Sequence, residues 1–243
     1  MAFFVESKPA REPFLRAPTS VIGLIALLVT AHLGRVFAPG AWSERLLDDY
    51  ALNPARYSAQ FLQAHHADPG SVLDRVAPFF AYMLLHADTM HIAINCVWLL
   101  AFGPVVARRF GGVAFVAFFM LSGVAGGLFY VAVNWGQDVG AIGASGAISG
   151  LMGGAIRMMR IRQPYLNVAT LPLLPIFSQQ VVGFSLVWLA VNLVTGLVGV
   201  GLGGQFQAVA WEDHMGGYLA GLVLAGLFES IAGPAARLAR RGA

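Results

Sequence analysis

The chain has 243 residues, of which 58% are hydrophobic and only 11% are charged, against about 45–50% and 25% in ordinary soluble domains. A mean hydropathy of +0.70 and a formal net charge of +3 exclude a disordered chain, which needs low hydrophobicity and high net charge. They also leave a soluble globule too few charges to cover its surface, and the lone Cys96 excludes an internal disulfide framework, so the class that remains is an integral membrane protein.

A spanning helix needs about 20 mostly apolar residues, and the sequence predicts six such spans in an all-α bundle. A short segment, residues 1–17, carries Lys8, Arg11 and Arg16 and leads into a first span over 18–37. That span reads as a retained anchor, because no small-residue cleavage site follows it. Residues 38–80 mix Trp42, Leu46, Leu47, Tyr50, Leu52 and Phe61 with charges. This suits an amphipathic segment lying in the membrane interface, with a solvated loop as the alternative. The second span covers 86–107 and the third 113–134. The fourth, 143–159, is short and rich in glycine. Residues 163–180, with Pro164, Pro172 and Pro175, form a connector. The fifth span covers 181–200 and the sixth 214–232, followed by a basic tail, 233–243.

The flanking charges set an orientation. Lys8, Arg11 and Arg16 precede span one, and Arg108 and Arg109 follow span two. Arg157, Arg160 and Arg162 close span four, and Arg237, Arg240 and Arg241 follow span six. Eleven of the fifteen basic residues thus fall on one side, with only Glu6, Glu12 and Glu229 as acids beside them. The other side holds Glu44, Asp48, Asp49, Asp138, Glu212 and Asp213 among its acids. The positive-inside rule counts Lys and Arg and places both termini, and so the membrane domain 18–232, with its basic flanks in the cytoplasm. Short flanks of apolar spans do not make a nucleic-acid surface.

Polar side chains within spans cost free energy, about 2.5–3.5 kcal/mol for a charge at a helix centre, and are functional candidates for that reason. Span two has His86, Asp88, His91 and Asn95; span four has Ser145 and Ser149; span six opens on Asp213 and His214. All three spans run inward, which sets His91, Asn95, Ser145 and His214 at similar depth near the outer face. His91 and Asn95, four apart, share a helix face. Gly146, Gly150 and Gly154 form one four-residue stripe, and Gly217 and Gly221 another. Such stripes let membrane helices approach closely, which brings Ser145 within reach of His214. A serine hydroxyl is a weak nucleophile until a base takes its proton, and the start of span four supplies unpaired N–H groups for an oxyanion. His32, His65 and His66 lack such company and read as structural or solvated.

The segment Gly143-Ala144-Ser145-Gly146 resembles the GxSG motif of the rhomboid intramembrane serine proteases. His91 to Asn95 matches that family's HxxxN, and His214-Met215-Gly216-Gly217, continuing to Gly221, is similar to its last-span HxGG pattern. The resemblance covers roughly residues 18–232. It implies a six-helix rhomboid-like bundle and a serine endopeptidase with Ser145 as nucleophile and His214 as general base. Asn95, His91 and the Ser145 N–H would form the oxyanion hole. Gly143, Gly146, Gly150, Gly154, Gly217 and Gly221 would support the site by close packing. The implied substrates are single-span membrane proteins cut in or near their outer membrane region. No metal or organic cofactor is needed, and a bacterial inner membrane suits the compact form, with the site opening outward.

Two departures stand out. The family often carries Trp-Arg before the second span; here the stretch is Asp74 to Phe80 without it. Many members place an aromatic residue four after the nucleophile, against the histidine; here it is Ser149, so the imidazole must be held by Gly216-mediated packing or by another aromatic ring. Asp213 adjoins His214, and neighbouring helical residues point about 100° apart, which argues against a triad acid. A zinc protease would need HExxH, and His86 and His91 have no Glu between them. A transporter would show matching halves, and a pseudoprotease relative would lack the serine or the histidine.

Overall fold

The computed structural model describes residues 17–161, 171–198, 200–201, 206–207 and 209–231. Lys8, Arg11, Arg16 and Arg162, the first part of the connector (163–170) and the basic tail 233–243 lie outside the described residues. The helices are α1 (Thr19–Val36), α2 (Gly40–Tyr50), α3 (Ala59–Ala64), α4 (Val72–Val76), α5 (Pro78–Ala81), α6 (Thr89–Phe110), α7 (Gly112–Val133), α8 (Ser145–Met158), α9 (Gln179–Val198) and α10 (Trp211–Ile231). Single 3-10 turns cover Pro54–Tyr57 and Tyr82–Leu84, and β1 (Val200–Gly201) pairs antiparallel with β2 (Phe206–Gln207) ahead of α10.

Five of these helices, α1, α6, α7, α9 and α10, are long and apolar enough to cross a membrane. The helix at the fourth predicted span, α8, has only 14 residues. At 1.5 Å per residue it reaches about 21 Å, short of a hydrocarbon core of about 30 Å. It lies at the centre of the molecule, packed against α6, α7 and α10, and every residue from Gly146 to Ile156 is buried.

Glycine makes that central position possible. A Cβ on Gly217 would overlap the Gly146 carbonyl oxygen, and one on Gly221 would overlap the Gly150 carbonyl oxygen. On α8, a Cβ at Gly150 would run into Ser122 of α7, and one at Gly154 would sit 2.7 Å from Phe118 Cζ. The backbones of α8 and α10 therefore touch with no side chain between them. The core around them is built from Phe115, Phe118 and Phe119 of α7 with Leu99 and Val106 of α6 and Val21 and Leu28 of α1.

Three helices share one direction. Near the end of α6, Arg109 Nε pairs with Glu229 Oε2 near the end of α10 at 2.7 Å. At the other end, Asp213 at the start of α10 lies against Gly146 at the start of α8. The amino ends of α6, α8 and α10 thus gather at one end of the bundle, away from Arg108, Arg109, Arg157 and Arg160. The free carbonyls at the far end of α8 are met by the connector and α9. The Gln180 side chain donates to Ile156 and Met159 oxygens at 3.2 and 3.0 Å, and the Leu174 N–H donates to the Arg157 oxygen at 2.7 Å.

The stretch from α2 to Tyr82–Leu84 is helical and packed. Leu52, Ala55, Tyr82 and Met83 are buried, while Trp42, Val72, Leu73 and Phe80 are exposed, the two-sided character that suits a membrane interface. Within it, α4 opens on a capping box between Ser71 and Asp74. The Ser71 hydroxyl and N–H hold the Asp74 carboxyl below its ordinary range.

The backbone contact yields a direct test. Gly221→Ala is expected to lower the thermal midpoint in detergent, with a loss on the order of 1–3 kcal/mol for overpacking against an immovable carbonyl. Gly183→Ala on α9, where an added Cβ meets nothing within 4 Å, should leave the midpoint unchanged. Equal midpoints for the two variants would remove the α8–α10 contact as a constraint.

Candidate active site

The amino end of α6 is set by Asp88. Its carboxylate accepts the His91 N–H at 2.8 Å and caps the helix, so this acid of the second predicted span has a local structural task. His91 then stands in the first turn. The Ala87 N–H donates to His91 Nδ1 at 3.4 Å. A neutral ring that accepts on Nδ1 carries its proton on Nε2. That nitrogen faces Gly143: a Cβ there would lie 2.7 Å from His91 Nε2 and 3.6 Å from Ser145 Oγ. Gly143 also has φ +126°, a backbone region that side chains disfavour. Asn95, one turn on and buried, donates its amide to the His91 carbonyl at 3.0 Å.

The strand of chain leading into α8 is held from outside. Leu52 and Ala141 exchange two backbone hydrogen bonds, at 2.9 and 3.0 Å, and the Gly143 N–H donates to the Tyr82 carbonyl at 2.9 Å. These bonds fix the residues just before Ser145. Ser145 itself begins α8 and is partly exposed, while Ala144 and Gly146 on either side are buried.

His214 comes from α10, one turn before Gly217, whose backbone meets Gly146. Ser145 and His214 therefore each adjoin the same glycine contact. Among the described residues no hydrogen bond joins Ser145 Oγ to His214. The ring is bonded instead on its other side: His214 Nδ1 lies 2.8 Å from Asn192 Oδ1 on α9. This partner replaces the expectation that Gly216 packing or an aromatic ring holds the imidazole. Gly216 faces α7, where a Cβ would crowd Phe129. The sequence carried a signal for Asn192, since it is a strongly polar residue in the middle of an apolar span, but its relation to His214 depends on how α9 rotates.

Asp213 turns away from the ring. Its carboxylate lies against Gly126 and Gly146 and faces the Gly146 N–H. Tyr82 Oη sits 2.8 Å from Asp213 Oδ1 and 2.8 Å from the Gly123 carbonyl. Burial, and then the adjacent Asp213, push the Tyr82 hydroxyl well above its ordinary range, so it remains a protonated donor. The carboxylate thus occupies the positive end of α8. His86 is fully buried, with its ring edge-on to His91 at 5.1 Å and to His32 at 6.4 Å; His32 is buried as well.

This end of the bundle thus gathers a histidine whose Nε2–H faces Gly143, a serine at a helix start and a second histidine on the neighbouring helix. A comparison with protein-family models matches the rhomboid domain over residues 74–230, from α4 to the last turn of α10. Among curated proteins no match is found. With more than half of its length matched, the chain belongs to the rhomboid family of intramembrane proteases.

Proposed function

We propose that this protein is an intramembrane serine endopeptidase that works through Ser145 and His214. It is a bundle of six membrane helices with both termini cytoplasmic, in which five helices cross fully and α8 starts within the membrane. It cuts single-span membrane proteins in or near their outer membrane region. The observation that carries this reading is the gathering of the amino ends of α6, α8 and α10 at one end of the bundle. In this reading Ser145 Oγ attacks the scissile carbonyl as His214 Nε2 takes its proton. The imidazolium then protonates the leaving amine, and water hydrolyses the acyl ester with the same histidine as base.

Charge on the tetrahedral oxygen would be met by the Ser145 N–H, His91 Nε2–H and the Asn95 amide. Support for His91 comes from the tautomer implied by Ala87, which leaves the proton on the nitrogen that faces Gly143. Preorganised donors of this kind act where water is scarce. The length of α8 supports a sunken site. With its basic end, near Arg157 and Arg160, at one interface, its serine end stops about 9 Å short of the other. A serine there is sheltered from lipid by neighbouring helices and open to water from the acidic side.

A serine-directed fluorophosphonate is expected to label the detergent-solubilised protein at Ser145. Label should vanish in Ser145→Ala and fall greatly in His214→Ala; label that persists in Ser145→Ala would sink the assignment. Asn95→Ala should slow cleavage of a single-span substrate by up to the order of 10²–10³, and unchanged turnover would take Asn95 out of the site. Asp213→Asn, whose amide oxygen still accepts from Tyr82, should keep most activity. A collapse as deep as that of His214→Ala would instead make Asp213 part of the reaction.

A further inference from the structure

We propose that Asn192 is a positioning residue for His214, completing a Ser145–His214–Asn192 array spread over α8, α10 and α9. The proposal rests on the Ser145–His214 reading above and adds to it the group that fixes the state of the imidazole.

The argument is one of donors and acceptors. The Asn192 amide has one nitrogen, which only donates, and one oxygen, which only accepts. On one side it meets the Trp188 carbonyl at 2.9 Å. A carbonyl can only accept, so the atom facing it is Nδ2. The oxygen is then turned to His214, 2.8 Å from Nδ1. An acceptor there requires a proton on Nδ1, and a neutral ring protonated on Nδ1 has its lone pair on Nε2. This is the form a general base needs. The Trp188 carbonyl thereby sets the amide, and the amide sets the tautomer.

The placement of α9 supports the same conclusion. Ser185, Trp188 and Asn192 fall at helical spacing on one face. Ser185 Oγ is 2.8 Å from Tyr218 Oη, and the Trp188 and Tyr218 rings stack at 4.2 Å. Further along, Gly196 lies against the Trp211 ring. The one face of α9 that meets α10 is therefore keyed by polar and aromatic contacts, and Asn192 is buried within it, while most of the helix is exposed. Of the titratable groups, His91 of α6 acts on the ring; Glu212 and Asp213 precede it on its own helix, with the Asp213 carboxylate turned to Tyr82 and Gly146; α9 contributes none. In papain-like proteases an asparagine holds the catalytic histidine in a comparable way on an unrelated fold.

The test measures the rate of fluorophosphonate modification of Ser145 across pH, on the full-length protein in detergent. Wild type is compared with Asn192→Val and Asn192→Asp, with Ser145→Ala as the blank. Asn192→Val is expected to slow modification at least about tenfold, because the ring loses its fixed tautomer. Asn192→Asp keeps an acceptor at Nδ1 and adds a carboxylate that favours the imidazolium. Its acid limb should therefore move up by about one pH unit, with a rate at its own optimum above that of Asn192→Val. An Asn192→Val rate within about threefold of wild type, or an unmoved acid limb in Asn192→Asp, overturns the proposal. Should Asn192→Val fail to fold, the Asn192→Asp limb alone decides. Failure of the underlying reading is seen separately, as label that survives in Ser145→Ala.

Discussion

The bare backbone contact between α8 and α10 is the constraint on which the rest of this molecule depends. Gly217 meets the Gly146 carbonyl and Gly221 meets the Gly150 carbonyl, so the two helix axes approach as closely as main chains can. Any side chain at either place would separate the serine from the histidine by the width of that side chain. In a membrane there is no hydrophobic force to press helices together, and close van der Waals packing has to do so. The glycines of α8 and α10 thus meet a packing requirement on which the proposed catalysis rests.

The second requirement is that α8 have a defined start. A helix that begins inside the protein exposes N–H groups that water would otherwise satisfy. Asp213 supplies a carboxylate from the neighbouring helix, and Tyr82 holds that carboxylate in place. The Leu52–Ala141 and Gly143–Tyr82 backbone bonds fix the chain just before the serine. The long segment between α1 and α6, which reads as a membrane-surface feature, therefore also braces Ser145, the proposed nucleophile. It does this through Leu52 and Tyr82, and the Asp74 to Phe80 stretch carries no Trp-Arg pair.

Much of this was legible in the sequence, and the reasons are local. Apolar run length identified the helices, and four-residue glycine spacing marked the stripes on α8 and α10. The His91–Asn95 spacing marked one face of α6. What stayed hidden depended on helix rotation and on contacts between distant residues. Asp88 read as a polar residue in a span because its capping bond to His91 depends on where α6 starts. Asn192 stays hidden because an isolated asparagine says nothing about which neighbour it faces. Asp213 is too close in sequence to serve His214, and its actual partners, Tyr82 and Gly146, lie on other elements that sequence spacing does not bring to view. The shortness of α8 is visible, but its burial from Gly146 to Ile156 follows only from the helices that surround it.

The borrowed cap on α8 bears on how the chain is made. Membrane helices are commonly inserted one at a time and associate afterwards. Too short to cross and left with bare N–H groups at its start, α8 is poorly suited to stand alone in lipid. Its missing acceptor, Asp213, belongs to α10, which is synthesised after it. A nascent chain that has not yet released α10 therefore holds its serine on an unfinished helix. In this protein, the order of synthesis puts completion of the start of α8 after the emergence of α10.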